Sequence, residues 1–209
     1  SHAFANTGRK TLLFDGDLGL ANLDIQLGLM PKRDLGGVIA GRLTLNQAVL
    51  PFEECGFDIV AGRSGSGSLA NIPVSRLRAL GEDLTLLSAT YDRVIIDLGA
   101  GLEQTVRQLT HNVGTCLVIA TDDPASLTDA YAFIKVTQME RPGTDIRVVI
   151  NMASSVRAGE RTYNTLLKAC EGFLKISPPL MGIIRNDPNI RETIRKQAPL
   201  LTRHPNRKS

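Results

Sequence analysis

Two aspartates one residue apart, Asp15 and Asp17, follow a short apolar run, Thr11-Leu12-Leu13-Phe14, and lead into a turn containing Gly19. While a backbone stays extended, residues i and i+2 point to the same face, so both carboxylates could approach one phosphate-and-magnesium centre. The spacing suits neighbouring duties, one towards a magnesium shell and one towards a water. A second apolar run, Val94-Ile95-Ile96, ends in Asp97-Leu98-Gly99-Ala100-Gly101. An aspartate in that place, the Walker B arrangement, holds a magnesium-bound water at the end of a buried strand. Either motif alone is weak, because Asp-rich turns and strand ends are common. Three further strand ends carry residues of similar use: Gly62, Thr121-Asp122-Asp123-Pro124 and Asn151. Open α/β sheets bind ligands at the carboxyl ends of their strands, so the five together predict one ligand-binding rim.

Such a rim needs a parallel sheet behind it. Six apolar runs read as strands: residues 11–14, 57–60, 94–96, 116–120, 146–150 and 181–184. Between them lie amphipathic helical patterns. Val74, Leu77, Leu80, Leu84 and Leu87 recur at near-helical spacing, as do Tyr163, Leu166, Leu167, Cys170 and Leu174. Val106 and Leu109 mark another helix, Ser126 to Val136 another, and Ile190 and Ile194 are expected to face inward from a last one that Pro199 closes. Leu35 to Ile39 and Leu43 to Leu50 read as short helical pieces joined by Gly41-Arg42, with Thr44 as N-cap and Pro51 as the stop. The Gly/Ser run from Ala61 to Ser68 reads as a surface loop before it reads as a phosphate nest. Strands alternating with helices predict an α/β fold with a mostly parallel, doubly wound sheet and helices on both faces. No repeat or linker divides residues 1–209, which are expected to form a single domain.

Composition narrows the function. Of 209 residues 43% are hydrophobic and 22% charged, the proportions of an ordinary globule. Aromatics make up 4% and Trp is absent, so a base-stacking nucleic-acid platform has little to be built from. The net charge of +3 is local: without Arg203, Arg207 and Lys208 the basic and acidic counts are equal at 21. A broad basic field for DNA is therefore not expected. Cys55, Cys116 and Cys170 are widely spaced and read as packed, reduced thiols of a cytoplasmic protein. No apolar run approaches the roughly 20 residues of a membrane span, so any membrane contact is expected to be peripheral, at the inner face or the cell pole.

The segments LLFDGDLGLANLDIQLGL, VIIDLGAGL, TDDPASLTDAYAFIK, VVINMASS and GIIRNDPNIRETIRKQAPLL, in this order and spacing, resemble the MinD/ParA family of deviant Walker ATPases. Within it, the similarity is greatest to the flagellar-number regulators called FlhG or FleN. The resemblance runs over essentially the whole chain, and DGDLGLANLD is its most specific piece. It implies a P-loop NTPase fold with ATP or ADP and Mg2+ as cofactors. It implies that Asp17 orients the attacking water, that Asp15 lies near magnesium and phosphate, and that Asp97 holds the metal through a bound water. By the same resemblance Gly99, Ala100 and Gly101 form a loop that senses the γ-phosphate, Asn151 reads the adenine edge, and the stretch containing Ile184, Arg185 and Asp187 packs around the base. The implied partners are a second copy of the chain, in an ATP-dependent homodimer, and a flagellar or division-site protein.

Three departures qualify this. The family's glycine-rich P-loop with two lysines, KGGxGKT, is absent from these residues; Gly8-Arg9-Lys10 and Gly41-Arg42 sit at a helix end and between helices. SHAFANTGRK resembles the second half of the helix that follows that P-loop, which favours truncation upstream over a degenerate paralogue. The central strand that carries the P-loop is absent with it, which is expected to leave unpaired strand edges and exposed apolar faces. Without the phosphate cradle the chain by itself is expected to have no ATPase activity. The basic C-terminal stretch from Arg203 to Ser209 has no apolar face, unlike the membrane-binding helix of MinD-type members. Thr121-Asp122-Asp123-Pro124 departs from a more usual Thr-x-Pro-Glu, adding charge near the expected base-binding rim. Competing readings are a plasmid or chromosome partitioning ATPase, a catalytically dead interaction module, and a synthetase of the cobyrinic acid diamide type, for whose glutamine-handling domain there is no room.

Overall fold

The structure, a computed structural model, describes residues 1–18, 21–62, 72–111, 113–197 and 199–203. The turn glycine Gly19, the Gly/Ser run beyond Gly62 and the basic stretch from His204 lie outside the described residues. The chain divides into two compact units, one comprising Ser1–Asn112 with Asn189–Lys208 and the other Val113–Pro188.

The first unit opens with helix α1 (His2–Ala5), where Gly8 at φ +77° lets the chain turn back and the Gly8 and Arg9 amides donate to Ala5 and Phe4 carbonyls. Strand β1 (Thr11–Asp15) follows, then helices α2 (Leu23–Gln26), α3 (Leu35–Ile39) and α4 (Leu45–Ala48), and strands β2 (Val49–Phe52) and β3 (Phe57–Val60). Helix α5 (Val74–Ser88), strand β4 (Arg93–Asp97) and helix α6 (Gln104–Thr110) complete this stretch. The sheet order is β2-β3-β1-β4, with β3, β1 and β4 parallel and β2 antiparallel at the edge.

Period-two alternation sorts the two faces of this sheet. Leu12, Phe14 and Val60 pack with Leu35, Leu45, Leu77, Leu80, Leu84 and Leu109, covering one face with α3 to α6. Ile59 and Ala61 point the other way, with Leu13, towards Phe52, Cys55, Ala5 and Leu27. Thr44 caps α4 in a capping box with Gln47, as its position predicted. Val49 and Leu50 do not continue that helix as expected: with Pro51 and Phe52 they form β2, giving seven strands among the described residues instead of six. Pro51 fits there because an edge strand has no need of its amide. On α5 the stripe is buried from Leu77 onward, while Val74, in the first turn, is 38% exposed.

The second unit contains β5 (Thr115–Ala120), α7 (Pro124–Glu140), β6 (Asp145–Ala153), α8 (Val156–Ala169), a π-helical turn at Cys170–Leu174 and β7 (Leu180–Arg185). Its sheet is parallel throughout in the order β5-β6-β7. Cys116, Val118, Ala120, Ile146, Val148 and Ile150 pack against Ala130 and Ile134 of α7 and against Leu166 and Cys170. The alternate residues Leu117 and Ile119 are about half exposed, at 50% and 52%. The outer sides of β4 and β5 each lack a neighbour among the described residues.

Gly159 brings α8 against β7, since a Cβ there would lie 2.5 Å from Ile183 Cγ2. Gly159→Ala gains about 1 kcal/mol of helix propensity but overpacks this contact at a cost of about 1–3 kcal/mol. The expected result is a net loss of stability and a lower thermal midpoint; an unchanged or raised midpoint would show that Ile183 yields freely.

The chain returns to the first unit in α9 (Pro188–Arg195) and ends its described part in α10 (Leu200–Arg203). Ile190 is half-buried, but Ile194 is 48% exposed and does not face inward as expected. All three cysteines are free and buried, and burial pushes the Cys116 thiol up to about 11, which keeps it protonated and unreactive. Among the described residues no helix is long and apolar enough to cross a membrane.

Candidate functional site

β1 and β4 run parallel in a register that places Asp15 opposite Asp97, so two acids end neighbouring strands side by side. Beyond Asp15 the chain leaves the strand: the Gly16 amide donates to the Asp97 carbonyl at 2.7 Å, and the Leu18 amide to the Gly16 carbonyl at 3.0 Å. The turn separates the duties of the two aspartates. Asp15 is buried, and its Oδ2 accepts a hydrogen bond from the Gly62 amide at 3.3 Å, at the end of β3. The half-buried Asp17 carboxylate lies against Gly99 instead; a Cβ on Gly99 would stand 2.9 Å from Asp17 Oδ2 and 3.1 Å from Oδ1. Gly62 is equally constrained, since a Cβ there would come within 2.3 Å of Ala21 Cβ and 2.9 Å of Asp15 Oδ2. Glycine at 62 and at 99 therefore leaves room for one carboxylate on each side of the β1 end.

Burial pushes the Asp15 carboxyl up to about 6, the amides of Gly62, Leu23 and Asp17 pull it back, and the charge of Asp97 raises it further. Asp97 is raised as well, by burial and then by the charge of Asp17. Two acids held like this favour a cation between them and their surroundings. Among the described residues no three metal-binding side chains stand close enough to cage an ion by themselves. Mg2+ keeps several waters and takes the rest of its shell from one or two carboxylates and phosphate oxygens. Asp15 and Asp97 are the residues that would hold it.

The raised carboxyl of Asp15 has a consequence for stability. The folded protein holds this proton more tightly than the unfolded chain does, so its contribution is greatest at low pH and falls as pH rises from the ordinary 3.8 through about 6. The full loss is at most ~3 kcal/mol, from a shift of about two units. Urea unfolding followed from pH 4 to 7 is expected to show this decline, and Asp15→Asn to flatten it; an unaltered slope in the variant would contradict the assignment.

The remaining predicted residues fall as follows. Ala100 and Gly101 follow Gly99 in the exposed loop after β4, with Gly101 at φ +106°. Asn151, Ile184, Arg185 and Asp187 belong to the second unit. There Asn151 Oδ1 accepts from the Met152 amide at 2.9 Å, and Met152 itself adopts φ +56°. A bulge between Ile150 and Ala153 re-registers β6 so that Ala153 faces Arg185, and the Asn186 amide donates to the Ala153 carbonyl at 2.9 Å. Asp123, flagged for its charge, caps α7 by accepting from the Ala125 amide at 2.8 Å. The structure thus brings Asp15, Asp17, Gly62, Asp97 and Gly99 together within the first unit. The Leu23 amide on Asp15 was missed; the signal available was Asn22, a residue type suited to start the short α2.

No protein-family profile matches the chain. The antiactivator FleN of Pseudomonas aeruginosa is 34% identical over 207 residues, which cover 99% of this chain and 74% of that protein. The flagellum site-determining protein YlxH of Helicobacter pylori is 25% identical over 207 residues, covering 99% and 69%. Among solved structures, the septum site-determining protein MinD of Pyrococcus horikoshii, complexed with Mg-ADP, is similar with a TM-score of 0.79 and 24% identity, covering 99% of this chain and 81% of that one. With 34% identity to FleN over 99% of its length, this chain is a member of the MinD/ParA family, on its FleN/FlhG side.

Proposed function

We propose that this protein is a MinD/ParA-type ATPase that acts as a spatial regulator, using an ATP-driven monomer–dimer switch to set the number and placement of flagella. The observation that carries the reading is the register of Asp15 with Asp97, beside an Asp17 carboxylate packed on Gly99. In this reading Asp97 and Asp15 serve Mg2+, and Asp17 orients the water that attacks the γ-phosphate. The loop Gly99-Ala100-Gly101 senses that phosphate, and its ordering builds the dimer face. In the second unit, Asn151, Ile184, Arg185 and Asp187 are assigned to the adenine base. The glycine-rich phosphate cradle with its two lysines is not among these 209 residues. The partner is a protein of the flagellar or division apparatus, met in the cytoplasm or peripherally at the membrane.

The cellular role is tested by counting flagella in the electron microscope. Cells deleted for the gene, and deleted cells carrying an Asp17→Ala copy, are expected to lose the normal number or position. Normal flagella with misplaced septa or lost plasmids in the same cells would overturn the flagellar assignment while leaving the ATPase intact.

A further inference from the structure

An open cavity of about 950 Å3 in the first unit lies beside the carboxylate edge and meets it at Gly62. Ile25, Leu29, Met30 and Leu43 give it an apolar lining, and Lys32, Arg33 and Arg42 ring it with charge. Two of the apolar side chains stand open, Met30 at 95% and Ile25 at 57% exposed. The acids that line the cavity are committed elsewhere. Asp34 Oδ1 accepts from the Gly37 amide at 2.8 Å and caps α3, while the buried Asp24 accepts from the Ile25 amide at 2.8 Å. By contrast, the side chains of Lys32, Arg33 and Arg42 have no hydrogen bond or ion pair among the described residues. Three cations against two carboxylates leave the cavity net positive by one charge, around an apolar floor.

The walls are held from several sides. Gln197, itself at φ +49°, donates from Nε2 to the Ile25 carbonyl at 2.9 Å. The amides of Arg42 and Leu43 donate to the Gly37 carbonyl, and the Leu35 amide to the Ala61 carbonyl at 2.9 Å. A cavity fixed like this costs little ordering when it is filled. Unbranched Met30 at the rim can adapt to the shape of an occupant.

The geometry points to a docking site for an acidic segment of a protein partner that carries a bulky apolar residue. The apolar residue enters among Ile25, Leu29, Met30 and Leu43, and flanking carboxylates meet Lys32, Arg33 and Arg42. A nucleic acid fits less well: among the described residues no aromatic side chain lines the cavity to stack on a base, and a phosphate chain would leave Met30 and Ile25 uncovered.

The test needs no nucleotide, so it stands apart from the ATPase reading. The protein as encoded is titrated against a fluorescein-labelled synthetic peptide of alternating glutamate and leucine, with anisotropy as the readout. Saturable binding is expected, weakened about tenfold or more by the double substitution Arg33→Glu, Arg42→Glu, and weakened also by Met30→Ser. These side chains are exposed, and circular dichroism checks that the variants stay folded. An all-glutamate peptide binding as well as the mixed one would reduce the site to bulk charge and overturn the proposal. So would equal binding by parent and charge-reversed protein, or no saturation at all.

Discussion

Asp17→Ala, in the protein as encoded, is expected to bind ATP and dimerise normally while its turnover falls by about 10²–10³-fold. The residue sits past the end of β1, half-buried, with its carboxylate against Gly99 and away from the Gly62 amide that holds Asp15. Removing it leaves the register of Asp15 with Asp97 intact. What is lost is the group assigned to the attacking water, and the loss of a positioned general base or water-orienting group is worth about 10²–10⁴-fold. A fall in kcat with little change in KM is the expected pattern, since the interaction belongs to the transition state. Single-turnover hydrolysis at saturating ATP gives the decisive rate: unchanged turnover removes Asp17 from the mechanism.

Gly99→Ala should reproduce much of that defect without touching an acid. A methyl group at 99 would meet all three carboxylate atoms of Asp17 within 3.1 Å, so either the carboxylate or the loop must move. A displacement of about 1 Å at a reacting group can cost on the order of 100-fold in rate. The fold should barely notice, because no left-handed φ is needed at Gly99 and alanine there stiffens the unfolded chain, worth about 0.4–1 kcal/mol. The combination expected is a thermal midpoint within a few degrees of the parent and a kcat lowered at least about tenfold. Full activity in a stable Gly99→Ala protein would mean that the Asp17 position seen here is not the working one.

The strands that carry these residues were legible because parallel strands are written as short unbroken apolar runs, and the largely buried Leu12 to Phe14 and the half-buried Val94 to Ile96 are such runs. The helices from Leu77 to Leu87 and from Tyr163 to Leu174 were legible through their stripes. β2 was not, because Val49 and Leu50 continue an apolar pattern behind a well-capped helix, and only pairing with β3 shows them to be extended. Ile194 misled for the opposite reason: a helical stripe specifies which face is apolar but not how deeply a neighbour covers it. At the candidate site the acids stood out by type and position. Their supports did not, since the Gly62 and Leu23 amides that hold Asp15 are backbone donors with no side chain to announce them. The contact between Asp17 and Gly99 was hidden too, because it joins residues 82 positions apart through two turns. The cavity was hidden in the same way, since residues from the stretch 24–43 and Gly62 line it together and Gln197 reaches the Ile25 carbonyl from a distant stretch.

The central claim, that the acids at the ends of β1 and β4 belong to a nucleotide-driven switch, is tested most directly by the mass of the protein as encoded, measured in solution with Mg-ATP, with Mg-ADP and with ATP plus EDTA. The hydrolysis-deficient Asp17→Ala variant is the form to use, because it should hold the ATP state. The account predicts a dimer with Mg-ATP and a monomer in the other two conditions. The same mass in all three, or a dimer that forms as well without magnesium, would contradict it.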